Sequence, residues 1–217
     1  MMAQTVKIEE LLLATPVMPI VTIASAELAA DLARALLRGG IGAIEVTMRT
    51  PAALAAMEAI TRGVPEITVG AGTVLSADDM RRAAAAGATF AISPGTTPEL
   101  LAAGCEEILP YLPGVATAGE IQCAMDFGYG CFKFFPAAGA GGIAALRAFA
   151  APFPKLRFAA TGGITPETAQ SYLDLPNVLS VGGSWIAPAE LIAKKDWAAI
   201  EARAHDAAKC FKRKQPR

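Results

Sequence analysis

Short apolar runs alternate along the chain with longer stretches in which apolar positions recur every three or four residues. Period alone cannot assign runs this short, but β-branched and aromatic residues between Gly and Pro breakers mark them as buried strands. Eight segments qualify: VMPIVTI (17–23), AIEVTM (43–48), EITVGAG (66–72), TFAIS (89–93), ILPYLPGV (108–115), CFKFF (131–135), LRFAAT (156–161) and VLSVGGS (178–184). Segments such as AELAADLARALLRGG and SADDMRRAAAAGA fill the spaces between them with a helical pattern. Helix starts are signalled at Thr50-Pro51, Ser76, Thr97-Pro98 and Thr165-Pro166, and several helices run out at glycine.

Eight strand–helix units with no linker or low-complexity break predict a single α/β domain over residues 1–217. At about 27 residues per unit they close most naturally into a (β/α)8 barrel, a TIM barrel. Residues 1–15 form a helical extension, whose segment 5–14 is expected to cover the barrel's bottom. The basic end KRKQPR, 212–217, is expected to be a disordered tail. A doubly wound open sheet is the rival architecture, but no G-x-G-x-x-G opens the first unit.

With 53% hydrophobic residues the chain can build a substantial core. Its net charge is -1 with both signs mixed along the chain, which gives no electrostatic footprint for nucleic acid. No run reaches the ~18 apolar residues of a membrane span, and the N-terminus lacks a secretory signal's features. A cytoplasmic protein is expected. Cys105, Cys123, Cys131 and Cys210 show no C-x-x-C and no metal-ligand spacing, which suits core thiols in a reducing compartment. The single histidine, His205, lies in a charged helical stretch near the C-terminus. Ser-His-Asp catalysis and most zinc sites need a histidine closer to the chemistry.

Catalytic side chains of a barrel stand at the C-terminal ends of its strands. In AIEVTMRTP the period of two puts Glu45, Thr47 and Arg49 on one face and Ile44, Val46 and Met48 on the other. The apolar face suits the helices, so Glu45 and Arg49 are predicted to point inward. Four residues of strand separate those two by roughly 13 Å, too far for a contacting pair. In CFKFF the same parity turns Cys131, Lys133 and Phe135 inward and Phe132 and Phe134 outward. Lys133 is the one lysine of eight set within an apolar strand. One reading is an interior ion pair with Glu45, although such pairs contribute little net stability. The other is a Schiff-base lysine, since apolar surroundings favour the neutral amine that attacks a carbonyl carbon. Glu45 then serves as the proton shuttle.

TGGI (161–164) and VGGSW (181–185) follow the last two strands, the usual phosphate site of this fold. Glycines there let backbone N–H groups approach an anion, or simply make tight turns. Neither segment carries Lys or Arg, so a phosphate would rely on amides, Ser184 and a helix N-terminus. Thr73 in VGAGTV and SPG (93–95) close other strands and are placed to line the same pocket.

Taken in order, EVTMRTP, VGAGTVL, AISPG, FKFFPA, ATGGI and VGGSW resemble the 2-keto-3-deoxy-6-phosphogluconate (KDPG) and 4-hydroxy-2-oxoglutarate (KHG) aldolase family. The resemblance implies a homotrimeric class I aldolase of the Entner–Doudoroff pathway, with no metal or organic cofactor. Such an enzyme cleaves KDPG, a phosphorylated keto-deoxy sugar acid, to pyruvate and D-glyceraldehyde 3-phosphate, with KHG cleavage as a second activity. It implies that Lys133 forms the carbinolamine and imine and that Glu45 is the general acid/base. Arg49 and Thr73 would hold the substrate carboxylate, while Pro94 and Phe135 line the pocket. Thr161 would read the substrate hydroxyls, and Gly162, Gly163, Gly183 and Ser184 would bind the phosphate. Thr161 favours the gluconate series, because relatives acting on the galactonate epimer favour an apolar residue there. Many relatives continue FFPA with a glutamate where this chain has Ala138, which leaves substrate preference open. Three alternatives stand: an aldolase for the galactonate epimer, a metal-dependent aldolase, and a phosphate-binding barrel without catalysis. The remote histidine disfavours the second.

Overall fold

A computed structural model describes residues 2–106 and 108–211, with side chains from residue 7 onward; the basic end 212–217 lies outside the described residues. Helix α1 (Met2–Ala14) leads into β1 (Val17–Val21), and strand–helix units then follow in sequence. They are α2 (Ala29–Arg38), β2 (Ala43–Thr47), α3 (Ala53–Gly63), β3 (Thr68–Gly72), α4 (Ala77–Ala85), β4 (Phe90–Ile92) and α5 (Pro98–Cys105). Next come β5 (Tyr111–Leu112), β6 (Gly114–Val115), α6 (Ala118–Asp126), β7 (Cys131–Phe134), α7 (Gly142–Ala150), β8 (Arg157–Thr161) and α8 (Pro166–Leu173). The described chain finishes with β9 (Val178–Gly183), α9 (Ala189–Ala193) and α10 (Trp197–Cys210). No described helix is long and apolar enough to cross a membrane.

Every strand pairs in parallel, in the order β5-β4-β3-β2-β1-β9-β8-β7-β6. The two ends of that order are consecutive in the chain and separated only by Pro113, so the sheet is a barrel whose fifth stave is broken. The sequence predicts one strand over 108–115, and proline explains the difference, since it has no N–H to give a ladder. Its carbonyl still accepts from the Lys133 N–H (2.9 Å), and the neighbouring Gly114 N–H donates to Ser93 Oγ (3.1 Å). Ser93 Oγ also bonds the Tyr111 hydroxyl at 2.7 Å, which ties β4 to both halves of the stave.

Local chemistry sets the helix starts. Ser76 Oγ accepts from the Asp79 N–H, Thr97 Oγ1 from Leu100, and Thr117 forms a reciprocal capping box with Glu120. Thr50 does not cap. Its hydroxyl donates to the Ile23 carbonyl at 2.6 Å, and α3 begins only at Ala53.

Alternation along the strands divides the apolar residues between two cores. Ile44, Val46, Phe132, Phe134 and Phe158 face the helices. Met18, Ala43, Phe90, Ile92, Leu112, Cys131, Ala159 and Leu179 fill the barrel together with Ile8 and Leu12 of α1. Leu12 is 2% exposed and closes the barrel axis from the end opposite the strands' C-termini.

Candidate active site

Above that apolar plug the barrel interior becomes polar. Glu45 and Lys133 project inward from β2 and β7, and Lys133 Nζ lies 3.0 Å from Glu45 Oε1. Only 6% of the lysine side chain and 2% of the glutamate side chain are exposed. Small neighbours make room for the carboxylate: a Cβ on Gly72 of β3 would run into Glu45 Oε1. The Phe135 ring centroid stands 5.5 Å from Nζ, within cation–π range. Below Lys133, burial pushes the Cys131 thiol above its ordinary range, so it stays a neutral wall.

The pair opens into a cavity of about 150 Å3 lined by Ile20, Arg49, Lys133, Phe135 and Thr161, and by Gly162 to Ile164, Gly182 and Ser184. A smaller void of about 10 Å3 lies deeper and shares Lys133, Thr161 and Gly182 with it; Glu45 lines this inner space. Arg49 sits two residues past the end of β2, exposed at the rim, and its Nε donates to Thr73 Oγ1 at 2.9 Å. Thr73 has φ of 59°, a left-handed conformation that a β-branched residue rarely adopts. With two cations against one carboxylate, the site is suited to an anion.

Across the cavity, Gly162 and Gly163 adopt φ values of 100° and 74°. Glycine takes these freely, and a Cβ on Gly163 would stand 2.6 Å from Ala138 Cβ. The Ala137 and Ala138 N–H groups donate to the Thr161 and Gly162 carbonyls at 2.7 and 3.0 Å. The segment after β7 is thereby pinned onto the glycine turn, with α8 starting just beyond it.

Among residues singled out from sequence, Lys133, Arg49, Phe135, Thr161, Gly162, Gly163 and Ser184 line this cavity, and Glu45 touches it through Lys133. Thr73 reaches it through Arg49. Pro94 and Gly183 are not among its lining residues: the Pro94 carbonyl backs onto Gly114, and Gly183 lies against the Trp185 ring. Ile20, Ile164 and Gly182 were not singled out. Parity was the available signal for Ile20, which shares a face with Met18. His205 is exposed on α10, and no group of three or more His, Cys, Asp or Glu among the described residues is placed to hold a metal ion.

The family model for KDPG and KHG aldolases matches residues 8–203. The chain is 45% identical over 199 residues to the KHG/KDPG aldolase of Escherichia coli (strain K12), covering 92% of this chain and 93% of that one. The KDPG aldolase of Legionella pneumophila, solved with pyruvate captured at low pH as a covalent carbinolamine intermediate, superposes with a TM-score of 0.90 at 45% identity. That likeness covers 92% of this chain and 97% of the other. The Zymomonas mobilis ZM4 2-keto-3-deoxy-6-phosphogluconate aldolase, solved with 3-phosphoglycerate, gives 0.90 at 44% identity over 95% and 96% of the two chains. The chain therefore belongs to the KDPG and KHG aldolase family.

Proposed function

We propose that this protein is a class I aldolase that cleaves KDPG to pyruvate and D-glyceraldehyde 3-phosphate through an imine at Lys133. The observation that carries the reading is the 3.0 Å contact between Lys133 Nζ and Glu45 Oε1 at the closed end of an anion-suited cavity. That distance lies within the reach required of a catalytic acid/base pair.

Transfer of one proton from Nζ to Glu45 leaves a free amine, which attacks C2 of the keto acid. Glu45 returns the proton to the C2 oxygen; the carbinolamine then loses water and becomes the protonated imine. As a carboxylate again, Glu45 accepts the C4 hydroxyl proton through water. The C3–C4 electrons move into the iminium, and glyceraldehyde 3-phosphate departs. The enamine takes a proton at C3, and hydrolysis releases pyruvate and the lysine. Arg49, held by Thr73, binds the carboxylate. The amides of Gly162 and Gly163, with Ser184, receive the phosphate, and Thr161 reads the hydroxyls between them. KHG, which ends in a carboxylate, fits the same two anion sites as a second substrate.

The resemblance also supports a cytoplasmic homotrimer that needs no metal or organic cofactor. Sedimentation should give the mass of three chains, and activity should survive excess chelator; a monomer or a chelator-sensitive enzyme contradicts those parts. Substrate choice is tested by comparing kcat/KM for KDPG and its galactonate epimer. The gluconate compound should be preferred because Thr161 offers a hydroxyl, and preference for the epimer overturns the assignment.

A further inference from the structure

We infer that Arg203, on the outer helix α10, is a positioning residue for the phosphate site: by holding the Trp185 carbonyl it sets where Ser184 stands. The inference rests on the phosphate reading of Ser184 proposed above. Ser184 and Trp185 form the turn that leaves β9, and Ser184 lines the cavity. Neither TGGI nor VGGSW carries Lys or Arg, so phosphate affinity at this end depends on where neutral donors are held. On one side of Ser184, Gly183 ends β9 in register with Pro19 of β1. On the other, Trp185 is gripped twice. Its ring occupies the space a side chain would need at position 183, where a Cβ would stand 2.6 Å from ring carbons Cη2 and Cζ3. Its carbonyl accepts from Arg203 Nη1 at 2.8 Å.

Arg203 does not itself line the cavity. It lies with Pro166, Trp185 and Phe211 around a separate recess of about 410 Å3 behind the turn. The helix that carries it is a firm base. Ile200, Ala204 and Ala207 of α10 are buried, and Glu201 pairs with Arg38 of α2 at 2.7 Å. Gly39, which caps α2, has no room for a Cβ beside Ala204. A guanidinium N–H on a carbonyl is a charge-assisted bond, stronger than one between neutral groups. Arg203 thus ties the turn beside Ser184 to the α2–α10 layer. Without that bond, part of the substrate's binding energy goes into ordering the turn, which raises KM.

The test separates the phosphate end from the amine. Arg203→Met keeps the aliphatic stem and loses every donor, whereas Arg203→Lys keeps the charge and one donor group. In steady-state assays with KDPG, Arg203→Met should raise KM roughly two- to tenfold, the worth of one net hydrogen bond, and change kcat less. Arg203→Lys should raise it by less. Pyruvate has no phosphate, so its borohydride labelling rate at Lys133 should match wild type in both variants; a parallel fall in labelling means general damage and overturns the inference. The KM ratio of Arg203→Met to wild type should persist at about 1 M salt, where charges more than about 3 Å apart are screened. A ratio that falls to one there makes Arg203 a distant charge and overturns its positioning role. Combined with Ser184→Ala, Arg203→Met should raise KM by less than it does alone, because both act through one hydroxyl; additive effects contradict this. Arg203 is exposed, and thermal unfolding verifies each variant's fold; should Arg203→Met not fold, Arg203→Ala decides by the same criteria. An unchanged KM in Arg203→Met beside a raised one in Ser184→Ala overturns the role of Arg203 alone. If Ser184→Ala leaves KM for KDPG unchanged, the phosphate reading fails, and this inference with it.

Discussion

Lys133 and Glu45 face each other at 3.0 Å, almost out of reach of water. Desolvating two charges costs several kcal/mol per ion, and their attraction seldom leaves a surplus, so stability alone explains the pair poorly. Proton exchange across one short contact explains it well, since the lysine must lose a proton and the substrate oxygen must gain one. Glu45→Gln keeps a carbonyl oxygen for the Lys133 ammonium but removes the proton acceptor. Steady-state assay should show turnover lowered by about 10²–10⁴-fold, with a smaller effect on KM. Turnover equal to wild type contradicts the assigned role. Thr73 is the other residue whose conformation calls for a reason. Its left-handed backbone aims Oγ1 at Arg49 Nε, and strained geometry of this kind gathers at functional sites.

The element after β8 depends on glycine more than on charge. Gly163→Ala forces a Cβ into φ of 74° and against Ala138 Cβ. Left-handed geometry costs a non-glycine residue roughly 1–2 kcal/mol, so the amides should turn away and KM for phosphorylated substrate should rise about tenfold. Kinetics on KDPG checks this, and an unchanged KM contradicts phosphate binding at this turn. Alternation made much of the barrel legible from sequence. It turned Glu45 and Lys133 inward and Phe132 and Phe134 outward, because a strand's faces are fixed by parity. Depth and register were not legible. Between Phe158 and Ala159 the β8–β9 ladder shifts by one residue, so Thr161 is opposite Gly182, and Gly183 turns toward Trp185. Nothing local in VGGSW announces that shift. The diversion of the Thr50 hydroxyl to Ile23 likewise depends on a neighbour distant in sequence, whereas the break at Pro113 follows from a residue visible in the sequence. The spacing in VGAGTV has a reason visible only in three dimensions: Cβ atoms at Gly70 and Gly72 would run into the Phe90 ring and the Glu45 carboxylate.

At the scale of the whole molecule, one end of the barrel is sealed by α1 and the other carries the chemistry, so closure of the sheet matters to both. Tyr111 beside the broken stave is buried, and burial pushes its phenol up to about 12 from an ordinary 10. A raised folded-state value means that this contribution to stability is full below pH 10 and is lost as pH rises through about 12. Circular dichroism with phenolate absorbance should therefore show ionisation of Tyr111 coinciding with loss of structure in that window; ionisation at pH 10 with the fold intact contradicts it. The proposed chemistry requires a covalent bond between this barrel's interior amine and a keto acid. Borohydride trapping with pyruvate, followed by mass mapping of peptides, tests it most directly. Wild type should yield a reduced pyruvate adduct on Lys133, absent in Lys133→Ala; an adduct on another lysine, or none in wild type, contradicts imine chemistry at Lys133.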